Sequence, residues 1–245
     1  MLEGLYAAAT GLDAQESQLD SIANDLANLN TPGYQPERVG FEDLLYSAAA
    51  PTQGSGVTVG AGTTAMNLGP SQQELGAEQT GQPLDLAVSG NAYFEVKQAS
   101  GAIALTRNGQ FQLDAKGQLT TATGLVVQPP VTVPAGTQPS DIHIGPDGSV
   151  VVGTTTIGKV ALVSVTAPEQ LTPIGDSLML ATAASGTPKP ATGASIVQGS
   201  LNNPGVSLST AMSQMTNAEQ TYSMASKALD LQAQMLQIAN EVRGG

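Results

Sequence analysis

The spacing of apolar residues changes twice along the chain. Leu5, Ala8, Leu12, Leu19, Ile22, Leu26 and Leu29 fall at alternating intervals of three and four, with Gln15 in the one polar place. That is the seam of a heptad helix, predicted from about residue 2 to 30 and ended by Thr31-Pro32-Gly33. At about 1.5 Å per residue such a helix extends roughly 40 Å, more than a small domain needs. The other end repeats the theme. Leu208, Ala211, Met215, Ala218, Tyr222, Ala225, Leu229, Gln232, Leu236 and Ala239 form a second seam, on a helix expected from about 206 to 242 with Ser207 or Ser209 at its start. Beside it runs a further stripe of Ala228, Leu231, Met235, Ile238 and Val242, and a helix apolar along two seams has more than one neighbour.

Between the helices the period falls to two. Leu84 to Val88, Ala92 to Lys97, Ile103 to Arg107, Gln110 to Leu113, Gln118 to Thr121, Leu125 to Gln128, Asp141 to Ile144, Ser149 to Val152 and Ile157 to Val165 read as short strands. Ser89-Gly90-Asn91, Ser100-Gly101, Asn108-Gly109, Lys116-Gly117 and Asp147-Gly148 read as turns or hairpins between them. No helix is expected inside this region. The stretches 47–71 and 183–205, rich in small and turn-forming residues, read as connections. The predicted class is α+β: long N- and C-terminal helices forming a coiled-coil-like domain, with a central antiparallel all-β domain. In order, 1–33 is the N-terminal helix, 34–79 an extended connecting region, 80–185 the β domain, 186–205 a linker and 206–245 the C-terminal helix.

Two such helices can pair with each other, yet a two-helix hairpin cannot cover every stripe. The residues expected to meet other copies or partners are Leu5, Leu12, Leu19, Ile22 and Leu26 on the first helix, and Met215, Tyr222, Leu229, Met235 and Leu236 on the second. A contact of unlike surfaces that does not close into a ring propagates as a helical filament. The competing reading folds both helices back on the β domain as an ordinary monomer.

Composition narrows the functions open to the chain. A net charge of −12, with eight Lys and Arg scattered singly, argues against nucleic acid and against anionic lipid surfaces. No run approaches the eighteen or so apolar residues of a bilayer span, so no direct membrane insertion is expected. Cysteine is absent, which removes disulfides and thiolate chemistry. Glu3 stands where a secretory signal carries basic residues, and Leu5 to Ala9 is too short for its apolar region. With 28 Gly, 15 Pro and 3% aromatics, the core must be built from small and aliphatic side chains.

Residues 21 to 34 read Ser-Ile-Ala-Asn-Asp-Leu-Ala-Asn-Leu-Asn-Thr-Pro-Gly-Tyr. With Asn24, Leu26, Ala27, Asn28, Thr31, Pro32, Gly33 and Tyr34 as its decisive part, this resembles the N-terminal signature of the flagellar rod and hook axial proteins. Asn28 and Asn30 can bond backbone groups as the helix ends, Pro-Gly forces the exit, and Tyr34 offers a scarce aromatic anchor. The similarity continues through Phe41 to Tyr46, Gly90 to Val96, Thr106 to Phe111, residues 125 to 150 and Gln234 to Asn240. It covers nearly the whole chain and favours the distal rod branch. The short stretch between Tyr46 and Gly60, and Asn203-Pro204-Gly205-Val206 before the last helix, depart from the family pattern and leave a proximal rod position open. The resemblance implies a subunit exported by the flagellar type III apparatus without a cleaved signal. It further implies assembly with itself, other rod proteins and the hook protein into a hollow torque-bearing shaft in the basal body.

No catalytic residue, cofactor or metal is expected, and the chain does not read as an enzyme. His143 is the only histidine and sits in a strand pattern. Glu42-Asp43 reads as a solvated face, Asp147-Gly148 as a turn, and Gly54-Ser55-Gly56 as linker without the Lys-Ser/Thr of a phosphate loop.

Overall fold

The computed structural model describes residues 2–44, 46–48 and 58–244, and the chain divides into two compact units. The fold is α+β.

One unit comprises residues 1–27, 37–68 and 208–245. It holds helix α1, Leu2–Ala27, and helix α2, Leu208–Gly244, packed against each other. Among the described residues Ala14, Ile22, Ala211 and Ala218 are the buried apolar ones of the pair, and three of the four are alanine, which lets two helices approach closely. Gly4 serves the same end, since a side chain there would press on the amide of Gln232. Strands Glu37–Asp43 and Thr63–Pro70 pair as a ribbon that packs on α1, and Tyr46–Ala48 pairs with Thr58–Gly60. Within the region expected as an extended connection, these segments are paired strands. The glycine-rich 49–57, including Gly54-Ser55-Gly56, lies outside the described residues.

Helix α1 stops at Ala27, short of the expected residue 30. Asn28 accounts for this: its carbonyl accepts the Thr31 N–H at 3.0 Å and its side-chain oxygen accepts the Thr31 hydroxyl at 3.1 Å, a local turn that competes with helix.

The second unit comprises residues 28–36 and 69–207. Among the described residues its main sheet has nine strands, all paired antiparallel. In spatial order the path runs Thr172–Gly175, Leu178–Leu180, Ile103–Thr106, Tyr93–Lys97, Val126–Gln128, Leu119–Thr121 and Phe111–Leu113. Leu162–Ser164 and Lys189–Pro190 branch from Tyr93–Lys97. A smaller sheet joins Ile142–Ile144, Ser149–Val152 and Thr155–Lys159. The core between them is aliphatic, built on Leu86, Val96, Val127, Ile142 and Val160, with Phe94 and Phe111 edge to face at 5.0 Å.

Several local expectations change. Residues 195–202, expected as linker, form two strands: Ser195–Gln198 pairs with Leu86–Ser89, and Ser200–Asn202 pairs with Ala77–Gln79. The run from Ile157 to Val165 is broken after Lys159, where the Val160 N–H turns to the Gly148 carbonyl. Single-turn helices occur at Pro139–Asp141 and Pro168–Gln170, both begun by a proline that fixes φ. Asn108-Gly109 is not a hairpin, because the strands on either side lie at distant places in the sheet. Gly109 is required there for another reason: its α-carbon lies against the Leu86 carbonyl, where a methyl group has no room.

Candidate assembly surface

The site expected from the sequence falls into two parts, one in each unit. On α1, Ile22 is buried, Leu5, Leu12, Leu19 and Leu26 are half-buried, and Asn24 and Ala27 are exposed. On α2, Met215, Leu229 and Leu236 are half-buried and Tyr222 is exposed. The side chains of Ala239 and Val242 lie outside the described residues. The second stripe stands open: Ala228 is exposed, Leu231 is 59% exposed, Met235 57% and Ile238 59%, and the structure adds Met224, at 63%, to the same face. By helical spacing it lies roughly 140° around α2 from the seam through Ala211, Ala218 and Leu229. Hence α2 covers one face against α1 and presents another apolar face to its surroundings.

The second part is the signature after α1. Asn28, Thr31, Pro32, Gly33 and Tyr34 belong to the β unit. Gly33 is buried, with φ at +68°, a backbone setting that glycine adopts without strain, and a side chain there would run into the Arg107 carbonyl. Its N–H donates to the Asn202 carbonyl at 2.9 Å, and the Gly205 N–H donates to the Tyr34 carbonyl at 2.8 Å. The passage that leaves α1 is thus hydrogen-bonded to the passage that leads into α2.

Two groups that sequence reasoning did not select hold this junction. Asn202 is buried; its amide donates to the Val88 carbonyl at 2.9 Å and accepts the Val88 N–H at 2.8 Å, so one side chain replaces a rung of sheet pairing. Arg107 is buried behind Gly33, its guanidinium 4.8 Å from the centre of the Tyr93 ring and donating to the Asn91 side-chain oxygen at 2.9 Å. Tyr93, fully buried, donates its hydroxyl to Gln35 at 3.4 Å, and Gln35 donates to the Ser71 carbonyl at 3.0 Å. Burial pushes the Tyr93 phenol up, with Arg107 pulling partly the other way. Burial likewise pulls the Arg107 guanidinium down, offset in part by Tyr93 and Glu74. Tyr93 is therefore the buried aromatic anchor here, while Tyr34 is half-buried and contributes its backbone to the tie. The sequence signal was the placing of two of the chain's eight aromatics at Tyr93-Phe94 and of one of its eight Lys and Arg at Arg107.

Among the described residues no group of three His, Cys, Asp or Glu is placed to hold a metal ion. No described helix is long and apolar enough to cross a membrane. His143 is exposed on Ile142–Ile144.

Comparison with known proteins gives three matching family models in chain order. "Flagella basal body rod protein" matches residues 5–35, "Flagellar hook protein FlgE/F/G D1 domain" residues 87–152, and "Flagellar basal body rod FlgEFG protein C-terminal" residues 197–242. The flagellar basal-body rod protein FlgG of Buchnera aphidicola (from Acyrthosiphon pisum) is 32% identical, over 97% of this chain and 98% of the relative. FlgG of Caulobacter vibrioides is 33% identical, over 99% of this chain and 100% of its own length. The flagellar hook protein FlgE of Escherichia coli is 29% identical over 63% of this chain, which is 38% of the hook protein. Two matched ends that hold the helices, a matched β domain between them, and full-length identity to rod proteins agree: the chain belongs to the flagellar basal-body rod protein FlgG family and is a structural subunit of the distal rod.

Proposed function

We propose that copies of this chain self-assemble through their terminal helices into a hollow helical shaft, in which α1 and α2 pair in the manner of a coiled coil. The shaft transmits torque to the hook and surrounds the export channel. The subunit reaches it through the flagellar type III apparatus without a cleaved signal, and its neighbours are itself, other rod proteins and the hook protein. The observation that carries this reading is the open stripe of Met224, Leu231, Met235 and Ile238, each more than half exposed on one face of α2. Isolated apolar residues on a surface are ordinary, but a continuous row along a long helix marks an interaction face. The seam residues and the junction motif complete the proposed assembly site.

The junction gives the shaft its mechanical logic. Load carried by helices packed between copies reaches the β unit through residues 28–36 and 202–207, and Gly33, Asn202, Tyr34 and Gly205 hydrogen-bond those two passages together. A force on either helix is then shared by both strands of chain.

Leu26→Asp and Leu229→Asp test this reading, because each places a charge in a helical seam, where it is costly. The expected result is loss of rods from isolated basal bodies, scored by electron microscopy, with the β unit still folded by circular dichroism. Normal rods containing either variant contradict it.

A further inference from the structure

Under the shaft reading the outward stripe of α2 meets a receiving surface, and the same unit holds a cleft of complementary charge with a short apolar wall. A cleft of about 450 Å³ lies between α1 and the ribbon of Glu37–Asp43 with Thr63–Pro70. Val39, Ala65 and Met66 supply an apolar wall, Ser17, Ser21, Asn24 and Asn67 a polar one, and Asp20 and Glu37 two carboxylates, that of Glu37 accepting the Asn67 amide at 2.8 Å; no Lys or Arg is among these residues. Arg38, the ribbon's own cation, donates instead to the Leu68 carbonyl at 3.3 Å.

The stripe carries the charge that this cleft lacks. Met224, Lys227, Leu231 and Ile238 recur at intervals of three, four and seven along α2, so Lys227 borders the apolar row as its one cation. Lys227 is exposed, and Asp230, the nearest acid in sequence, falls to the other side of it from the methionines. We propose that α2 of one copy seats its outward stripe in the cleft between α1 and the ribbon of a second copy, with Lys227 entering between Asp20 and Glu37. This deepens the shaft reading and rests on it.

Charge selects this pairing over the simpler one of stripe against stripe. A symmetric contact brings Lys227 of both copies onto one face and leaves both clefts without a cation. In a chain of net charge −12 with eight basic residues, contacts between copies must spend their few cations opposite acids. Stripe and cleft are different surfaces of one molecule, so each copy donates one and receives at the other. Such a contact propagates without closing.

The chain has no cysteine, which makes a directed cross-link clean. Chains carrying Asp20→Cys and chains carrying Lys227→Cys are produced together in a host lacking its own copy, basal bodies are isolated, and a short bismaleimide is applied. Mixed dimers joining residue 20 to residue 227 are expected to exceed either self-dimer by about tenfold, because only the mixed pair holds its two cysteines within reach of the reagent. In parallel, Asp20→Lys and Lys227→Asp are each expected to cut incorporation into rods about tenfold, while the two together restore it to within about twofold. Rods that form with no mixed dimer, and single charge variants that incorporate like the native chain, overturn this contact and leave the shaft reading standing. A native chain that never enters rods removes both.

Discussion

In the β unit Leu86, Phe94, Val96 and Val127 are fully buried, whereas in the helical unit the largest buried side chain among the described residues is Ile22. The β unit closes its core with its own strands. The helical unit covers a thin seam of alanines and leaves Met224, Leu231, Met235 and Ile238 more than half exposed. Covering what remains open on each of those four is worth about 1–2 kcal/mol apiece. One contact of that kind barely offsets the roughly 4–15 kcal/mol cost of bringing two molecules together. A subunit that both gives and receives a stripe, with several neighbours, gains where a simple dimer does not. The difference between the units is thus one of closure: one is finished by its own chain, and the other is left open on the face through which we propose that copies meet.

The comparison is sharpened most by damaging the finished unit. Phe94→Ala removes a fully buried ring from its edge-to-face contact with Phe111 and is expected to cost about 3–5 kcal/mol in urea unfolding. A loss under about 1 kcal/mol would mean that the β core is not self-sufficient. Next comes the junction. Gly33→Ala meets both an unfavourable φ of +68° and the Arg107 carbonyl, whereas Gly101→Ala at φ +88° meets open space. Each pays backbone strain of about 1–3 kcal/mol, and Gly33→Ala is expected to lose more by the clash alone. Equal losses from the two variants would contradict the close approach.

In the helical unit the effects on monomer stability become small while those on assembly stay large. Leu231→Asp combined with Ile238→Asp is expected to shift the melting of the isolated monomer by no more than about 0.5 kcal/mol per site, since both side chains are already solvated. Smallest of all is a pH effect in the β unit. Burial pushes the Glu95 carboxyl above the ordinary 4.5. The folded state therefore holds its proton more tightly, and stability falls as pH rises through the window just above that value. Glu95→Gln is expected to melt slightly higher than the native chain at neutral pH, with the gap closing in acid. A gap that widens in acid reverses the sign and refutes the assignment.

Period and punctuation made much of this architecture legible. The three-four seams gave both helices, and Ser100-Gly101, Lys116-Gly117 and Asp147-Gly148 mark real hairpins between paired strands. Local pattern failed where a residue answers to something distant in sequence. Gly109 looks like half of a hairpin turn, but it is small because Leu86 passes against it. Strand Ser195–Gln198 looks like linker because its partner, Leu86–Ser89, lies about a hundred residues earlier, and pairing at that range leaves no trace in a short window. Asn202 was hidden for the same reason: its amide is written in one strand and bonded to Val88 of another. At the candidate assembly surface the apolar stripes are visible in the spacing, while the cleft lined by Asp20 and Glu37 exists only once α1 and the ribbon are packed.

Sedimentation of the purified full-length chain over a wide concentration range tests the central claim most directly, with the Leu231→Asp, Ile238→Asp chain beside it. Mass that climbs with concentration for the native chain and stays at the monomer for the variant is the predicted result. A native chain that remains monomeric throughout, with α1 and α2 resistant to protease, would show that the helices need no other copy.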